Sequence, residues 1–193
     1  MNGDGKADIL ITEDDVFIWY ASKGKKGFEN YQTKRKISDE EKGPNIVFAD
    51  GSQSIVLADM SGDGLMDIVR IRNKEIVYWP NLGYGKFGAK VSMSNAPKFD
   101  QPDHFNPQYI KLADLDGSGI TDIVYLAKDV FKIYFNQAGN SWSEENIVHG
   151  VNPPPFPKVD DHANVNVIDL LGNGTGCIVW SSPLPKYSVN PLR

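Results

Sequence analysis

Carboxylates and hydroxyls alternate with glycines in short runs along this chain, a pattern suited to holding a hard cation. The clearest run is Asp59-Met60-Ser61-Gly62-Asp63-Gly64-Leu65-Met66-Asp67, followed by Ile68-Val69. A second is Asp114-Leu115-Asp116-Gly117-Ser118-Gly119-Ile120-Thr121-Asp122, followed by Ile123-Val124. Each offers side-chain oxygens at its first, third, fifth and ninth positions and a backbone carbonyl at its seventh. The candidate ligands are therefore Asp59, Ser61, Asp63 and Asp67 with the carbonyl of Leu65, and Asp114, Asp116, Ser118 and Asp122 with the carbonyl of Ile120. An amino-terminal copy offers Asn2, Asp4 and Asp8 with the carbonyl of Lys6 and lacks its first ligand. Oxygen-only donors of this kind suit Ca2+, and the glycines at positions four and six let the backbone turn tightly around one ion. Thiolate and imidazole are absent from these copies, which argues against zinc and copper.

A fourth copy, Asp169-Leu170-Leu171-Gly172-Asn173-Gly174-Thr175-Gly176-Cys177, keeps two side-chain ligands, Asp169 and Asn173. Two are too few for Ca2+, so this loop is expected to be metal-free. Cys177 takes the place of the ninth carboxylate and is expected to be a small buried hydrophobe rather than a reactive thiol.

An EF-hand opens in the same way, but it needs a Glu at position twelve and a following helix. Position twelve here is Ile11, Arg70 or Tyr125, and the residues after each loop are short and β-branched. Each loop therefore joins two strands.

The later copies begin at residues 59, 114 and 169, a fixed spacing that marks an internal repeat. Twelve residues past the last Asp stand Tyr20, Trp79 and Tyr134; twenty past it stand Phe28, Phe87 and Trp142. One unit is expected to run strand, acidic loop, strand, turn, strand, Gly-rich turn and an aromatic-led strand. Four short strands in that length make a propeller blade. The fold class is all-β, a β-propeller of four-stranded antiparallel blades forming a partial ring of about three and a half. The units lie at approximately 1–50, 51–105, 106–160 and 161–193. The recurring aromatics are expected to pack between blades. Because strands alternate in direction, the acidic loops and the Gly-rich turns share one end. The long connections at 34–43, 95–107 and 150–157 lie at the other, as binding loops or as stiff linkers.

Composition narrows the function. A net charge of −5, much of it in the loops, argues against a nucleic-acid partner. No apolar run reaches the length of a membrane span, no signal peptide is visible, and one cysteine excludes an internal disulfide. His104, His149 and His162 are placed in connections without a recurring carboxylate partner, so no catalytic constellation is expected. The chain opens inside an acidic loop and ends after the strand of the fourth, so it is expected to be part of a longer polypeptide. In isolation it is expected to self-associate through uncovered blade faces and edges.

The acidic loops resemble those of FG-GAP or VCBS repeats in integrin-type propellers. The runs Trp79-Pro80-Asn81-Leu82-Gly83-Tyr84-Gly85, Asn95-Ala96-Pro97 and Tyr134-Phe135-Asn136-Gln137-Ala138-Gly139 are more specific. They resemble the middle region of the B component of bacterial insecticidal toxin complexes, shared with SpvB-type plasmid virulence proteins. That resemblance implies a secreted, non-catalytic virulence scaffold for protein–protein interaction, docking onto a pore-forming A component. A carbohydrate-binding propeller is the alternative, with Trp79, Tyr84 and Trp142 available to stack on sugars.

Overall fold

The β-branched runs and the turns between them build four antiparallel sheets, one per acidic loop. The computed structural model describes residues 2–45, 53–127, 130–149, 164–172, 176–181 and 188–191. The first sheet holds β1 (Ile9–Thr12), β2 (Val16–Tyr20) and β3 (Gln32–Arg35). The second holds β4 (Ser54–Ala58), β5 (Asp67–Arg72), β6 (Glu75–Trp79) and β7 (Val91–Ser92). In the third, β8 (Ile110–Ala113), β9 (Asp122–Leu126) and β10 (Val130–Tyr134) are joined by the later β13 (Asn146–His149). A small hairpin, β11 (Asn136–Gln137) and β12 (Ser141–Trp142), lies between β10 and β13. The fourth sheet holds β14 (Asn164–Ile168), β15 (Cys177–Ser181) and β16 (Ser188–Pro191).

Register repeats between sheets. Ile9 pairs with Tyr20, Ile68 with Trp79 and Ile123 with Tyr134, each one residue past the ninth Asp of its loop. Since side chains alternate across a strand, each sheet presents two apolar faces. On the second sheet Ile68, Val77 and Trp79 cluster with Phe17 of the first. Its other face, Val69, Ile71, Ile76 and Tyr78, clusters with Ile123, Tyr125 and Tyr134 of the third. The third sheet's Val124, Leu126, Phe131 and Ile133 then cluster with Val165 and Ile178 of the fourth. Consecutive sheets are thus stacked face to face, and the core is a set of seams between them.

The aromatic twenty residues past the loop does not lead the fourth strand. Phe28 and Phe87 form isolated bridges to Ser22 and Asn81, and Trp142 pairs with Asn136 in the small hairpin. The fourth strand starts later, at Gln32, Val91 and Asn146. The aromatic closes the Gly-rich turn onto the third strand, because the left-handed Gly83, Tyr84 and Gly85 fold that turn back on itself. Burial of these aromatics is uneven. Phe87 packs on Phe17 of the preceding sheet with ring centroids 5.5 Å apart, and Trp142 is fully buried, but Phe28 is exposed. Among the described residues no earlier sheet faces Phe28, which removes the surface it would pack on.

Histidine 149 differs from its expected place as well. It is the exposed last residue of β13, paired across the sheet with Val130, not part of a connection. His104 lies exposed in the 101–105 turn, whereas His162 and the connection at 150–157 fall outside the described residues.

At the end opposite the acidic loops, the 95–107 connection is clamped to the β5–β6 turn. Lys74 N donates to Pro97 O (2.8 Å), Phe99 N to Asn73 Oδ1 (2.9 Å), and Asn73 Nδ2 to Asp100 O (2.9 Å). Phe99 is fully buried against Phe105, Tyr125 and Tyr134. Of the two readings of this segment, the packing favours the linker that seals a seam.

Candidate functional site: a row of acidic loops

The second, third and fourth acidic loops each leave one strand and return as the next, so the ninth residue is pinned at a strand start. Asp67 opens β5 and Asp122 opens β9. No helix follows any loop, which disposes of the EF-hand. The loops are shaped by their own hydrogen bonds. Asp59 Oδ1 accepts from Gly62 N (2.7 Å) and Oδ2 from Gly64 N (2.8 Å), and Asp63 Oδ1 accepts from Leu65 N (2.8 Å). The third loop repeats the first two of these bonds: Asp114 Oδ1 accepts from Gly117 N (2.8 Å) and its Oδ2 from Gly119 N (2.8 Å), while Asp116 Oδ1 accepts from Ser118 N (2.9 Å) and Ser118 Oγ from Ile120 N (3.4 Å). Both glycines of each loop sit at positive φ near 80°, where a Cβ is strained.

Among the described residues, Asp114, Asp116 and Asp122 bring carboxylate oxygens within 4.8 Å of one another. Calcium–oxygen distances of about 2.3–2.6 Å place ligands on one ion up to about 5 Å apart, so this triplet fits a calcium ion. Its donors are all hard oxygens, with the Ser118 hydroxyl and the Ile120 carbonyl on the same loop. In the second loop Ser61 stands in the place of Asp116 and Asp63 in the place of Ser118, and among the described residues the carboxylates of Asp59, Asp63 and Asp67 do not converge within 4.8 Å. In the first loop, the Lys6 ammonium lies 3.3 Å from Asp4 Oδ2 and competes with a cation for that oxygen. Of the fourth loop, Asp169 and Leu171 are exposed, Cys177 is buried, and Asn173 lies outside the described residues.

The ninth carboxylate does more than face the loop. Asp67 Oδ2 accepts from Met60 N (3.0 Å) and its Oδ1 from Asn81 N (2.8 Å). Asp122 matches it, with Leu115 N at 3.0 Å and Asn136 N at 2.9 Å. In the first unit Asp8 Oδ1 accepts from Ser22 N at 2.8 Å. This carboxylate therefore ties the acidic loop to the Gly-rich turn, which confirms that both lie at one end. Asn81 and Asn136, whose side chains complete the tie, were not singled out by sequence. The signal for them is an Asn placed fourteen residues after the ninth Asp, with a glycine close behind.

Burial pushes the carboxyls of Asp67 and Asp122 from an ordinary 3.8 up to about 6, assisted by neighbouring aspartates and opposed by their backbone donors. A raised carboxyl pKa means the folded state holds a proton that the unfolded chain has already released. The contribution of these two carboxyls to metal-free stability is therefore greatest below about pH 4 and falls as pH rises to about 6, by roughly 1 kcal/mol per site once solvent screening is allowed for. In chelator across that range, the urea midpoint of the wild type should decline relative to that of Asp67→Asn. Added Ca2+ should remove the decline, because the ion favours the charged form.

Successive loops touch. Thr121 N donates to Asp59 O (3.0 Å), and Asn136 Nδ2 donates to Met60 O (3.0 Å). The Ile120 side chain stands where a Cβ on Gly62 would be 3.1 Å away, and Leu65 stands over Gly3 in the same manner. The loops thus form a continuous row. Of the three aromatics open to a sugar-stacking role, Trp79 and Trp142 are fully buried in the seams, and only Tyr84, 64% exposed, remains on the surface.

Comparison with known proteins agrees with this architecture. Residues 1–70 match the FG-GAP-like repeat family. Among solved structures, the chain is similar to the Photorhabdus luminescens Tc holotoxin pore, at 26% identity and a TM-score of 0.79. The match covers 94% of this chain and 8% of that one. The TcdB2–TccC3 crystal structure matches at 28% identity and a TM-score of 0.68, over 75% of this chain and 7% of that one. An Agrocybe aegerita lectin, described as recognising non-reducing terminal N-acetylglucosamine, shares the fold at 22% identity and a TM-score of 0.65. That match covers 93% of this chain and 44% of the lectin. No curated protein matches the sequence. No helix among the described residues is long and apolar enough to cross a membrane.

Proposed function

We propose that this chain is a calcium-stabilised, non-catalytic propeller segment that serves as a protein–protein scaffold in a Tc-type toxin complex. The observation that carries the reading is the coincidence of two features. The fold is similar to the Tc holotoxin pore over 94% of the chain, and the third of the acidic loops brings three carboxylates within 4.8 Å of one another. Among the described residues the second and third sheets have four strands and the first and fourth have three; stacked antiparallel sheets of four strands are the form of propeller blades. Asp114, Asp116, Ser118 and Asp122 would hold Ca2+ with the Ile120 carbonyl, and their counterparts would do so at 59–67. The ion would neutralise carboxylates that otherwise repel, locking the loops at the end available to a partner. The chain acts outside the producing cell, and its partner is another toxin-complex subunit, the pore-forming one.

The exposed residues at this end support contact with protein rather than turnover. Met66, Leu82 and Tyr84 are at least half exposed on the second unit's loops, and solvent-facing apolar groups on a rigid turn suit an interface. The lectin fold keeps a glycan-binding reading in view, but burial of Trp79 and Trp142 leaves it only Tyr84 of those three aromatics. Capture assays should separate the two. Immobilised in calcium, the chain should retain the pore-forming subunit of a Tc complex and lose it after Tyr84→Ala, while giving no signal on a glycan array. Glycan binding without subunit capture would reverse the assignment.

A further inference from the structure

Asn136 is 92% buried, and its backbone N–H and both polar atoms of its side chain are hydrogen-bonded. Its N–H donates to Asp122 Oδ1 (2.9 Å), and its Oδ1 accepts from Gly139 N (2.9 Å). The side-chain Nδ2 donates to two carbonyls in different repeat units, Thr121 O at 3.2 Å and Met60 O at 3.0 Å. Thr121 precedes the ninth carboxylate of the third loop and follows Ile120, whose carbonyl is a candidate ligand. Met60 follows Asp59, the first ligand of the second loop.

Two more contacts run alongside. Thr121 N donates to Asp59 O at 3.0 Å, and Ile120 covers Gly62. Gly139 is held close by the same arrangement: at φ +74°, a Cβ there would come within 2.7 Å of Tyr78 Oη and 3.0 Å of Met60 O. The backbone around position eight of the third loop therefore cannot shift without moving the first two residues of the second.

We infer that Asn136 is a positioning residue shared by two cation sites, and that Ca2+ binding in loop 114–122 favours binding in loop 59–67. This rests on the calcium reading of both loops. Each ion must draw its ligands onto a sphere of fixed radius, and the alignment at one loop is transmitted through Asn136 Nδ2 and Thr121 N to Asp59 and Met60. A ligand that orders a shared element lowers the cost of ordering it for the next. Coupling of this type amounts to roughly five-fold or more in affinity.

Calorimetric titration of the metal-stripped chain with CaCl2 provides the test. The wild type should titrate more steeply than two independent sites allow. Asp116→Ala, which disables the third loop and leaves Asn136 in place, should weaken Ca2+ at the second loop roughly five-fold. In an Asn136→Ala background, the Asp116→Ala change should no longer alter the second loop's affinity. A merely structural Asn136 would lower the melting temperature and leave that ratio unchanged. Two ions binding independently, with Asp116→Ala silent at the second loop, would overturn the coupling while leaving the calcium reading intact. No binding at either loop would instead remove the calcium reading itself. Should Asn136→Ala fail to fold, the Asp116→Ala measurement alone decides.

Discussion

Chelating calcium should lower the melting temperature of this chain by roughly 5–15 °C. Ion binding to the folded state adds RT ln(1 + [L]/Kd) per site, and extracellular sites of this class bind at roughly 10⁻⁴–10⁻³ M. At a few millimolar Ca2+, two sites contribute about 2–4 kcal/mol, and each kcal/mol moves a domain of this size by about 2–4 °C. The effect should divide between loops. Asp63→Ala should abolish the second loop's share and Asp116→Ala the third loop's, each leaving less than half the response because the remaining site also loses its coupled partner. The fourth loop should contribute nothing. A melting curve of metal-stripped protein that ignores both calcium and chelator would mean the hydrogen bonds within the loops suffice.

Self-association of the purified chain should be the second large effect. The first sheet's outer face carries Ile9 and Ile11, each 42% exposed, beside Tyr20 and Tyr31, whose ring centroids are 6.1 Å apart. On the second and third sheets, the residues at these positions are covered by the preceding sheet, Ile68 and Trp79 in one seam and Ile123, Tyr125 and Tyr134 in the next. An apolar sheet face of that kind is a template for association. Multi-angle light scattering at micromolar concentration should show dimers or larger species. Ile9→Glu with Ile11→Glu should shift the distribution to monomer while leaving calcium binding intact. A wild type that stays monomeric at high concentration would contradict the expected uncovered face.

Much of this architecture was legible because the repeat is written in residue types that each admit one local solution. Asp67-Ile68-Val69 and Asp122-Ile123-Val124 combine a loop-closing carboxylate with β-branched residues, so the strand start and its register follow directly. The recurring glycines fixed the loop shape for the same reason. Other features depend on which neighbour is present, and sequence periodicity does not record that. Phe28 and Phe87 occupy the same repeat position, yet one is exposed and the other buried, because among the described residues only Phe87 has a sheet to pack on. Trp142 was misplaced onto the fourth strand because a two-residue hairpin leaves no period to detect. Trp79 and Trp142 looked available to sugars because a surface platform and a seam filler share the same composition. The double use of the ninth carboxylate, ligand candidate and clamp, was hidden because Asn81 and Asn136 lie fourteen residues away, across a whole hairpin.

The most direct measurement for the account as a whole is the number of calcium ions the chain holds. Equilibrium dialysis against CaCl2 raised until binding saturates, followed by elemental analysis, should approach two bound ions per chain, from loops 59–67 and 114–122. Asp63→Ala and Asp116→Ala should each reduce that number by one, and the double variant should hold none. A wild type that retains no calcium, or one whose calcium content is unchanged by both substitutions, would contradict the assignment of these loops as cation sites.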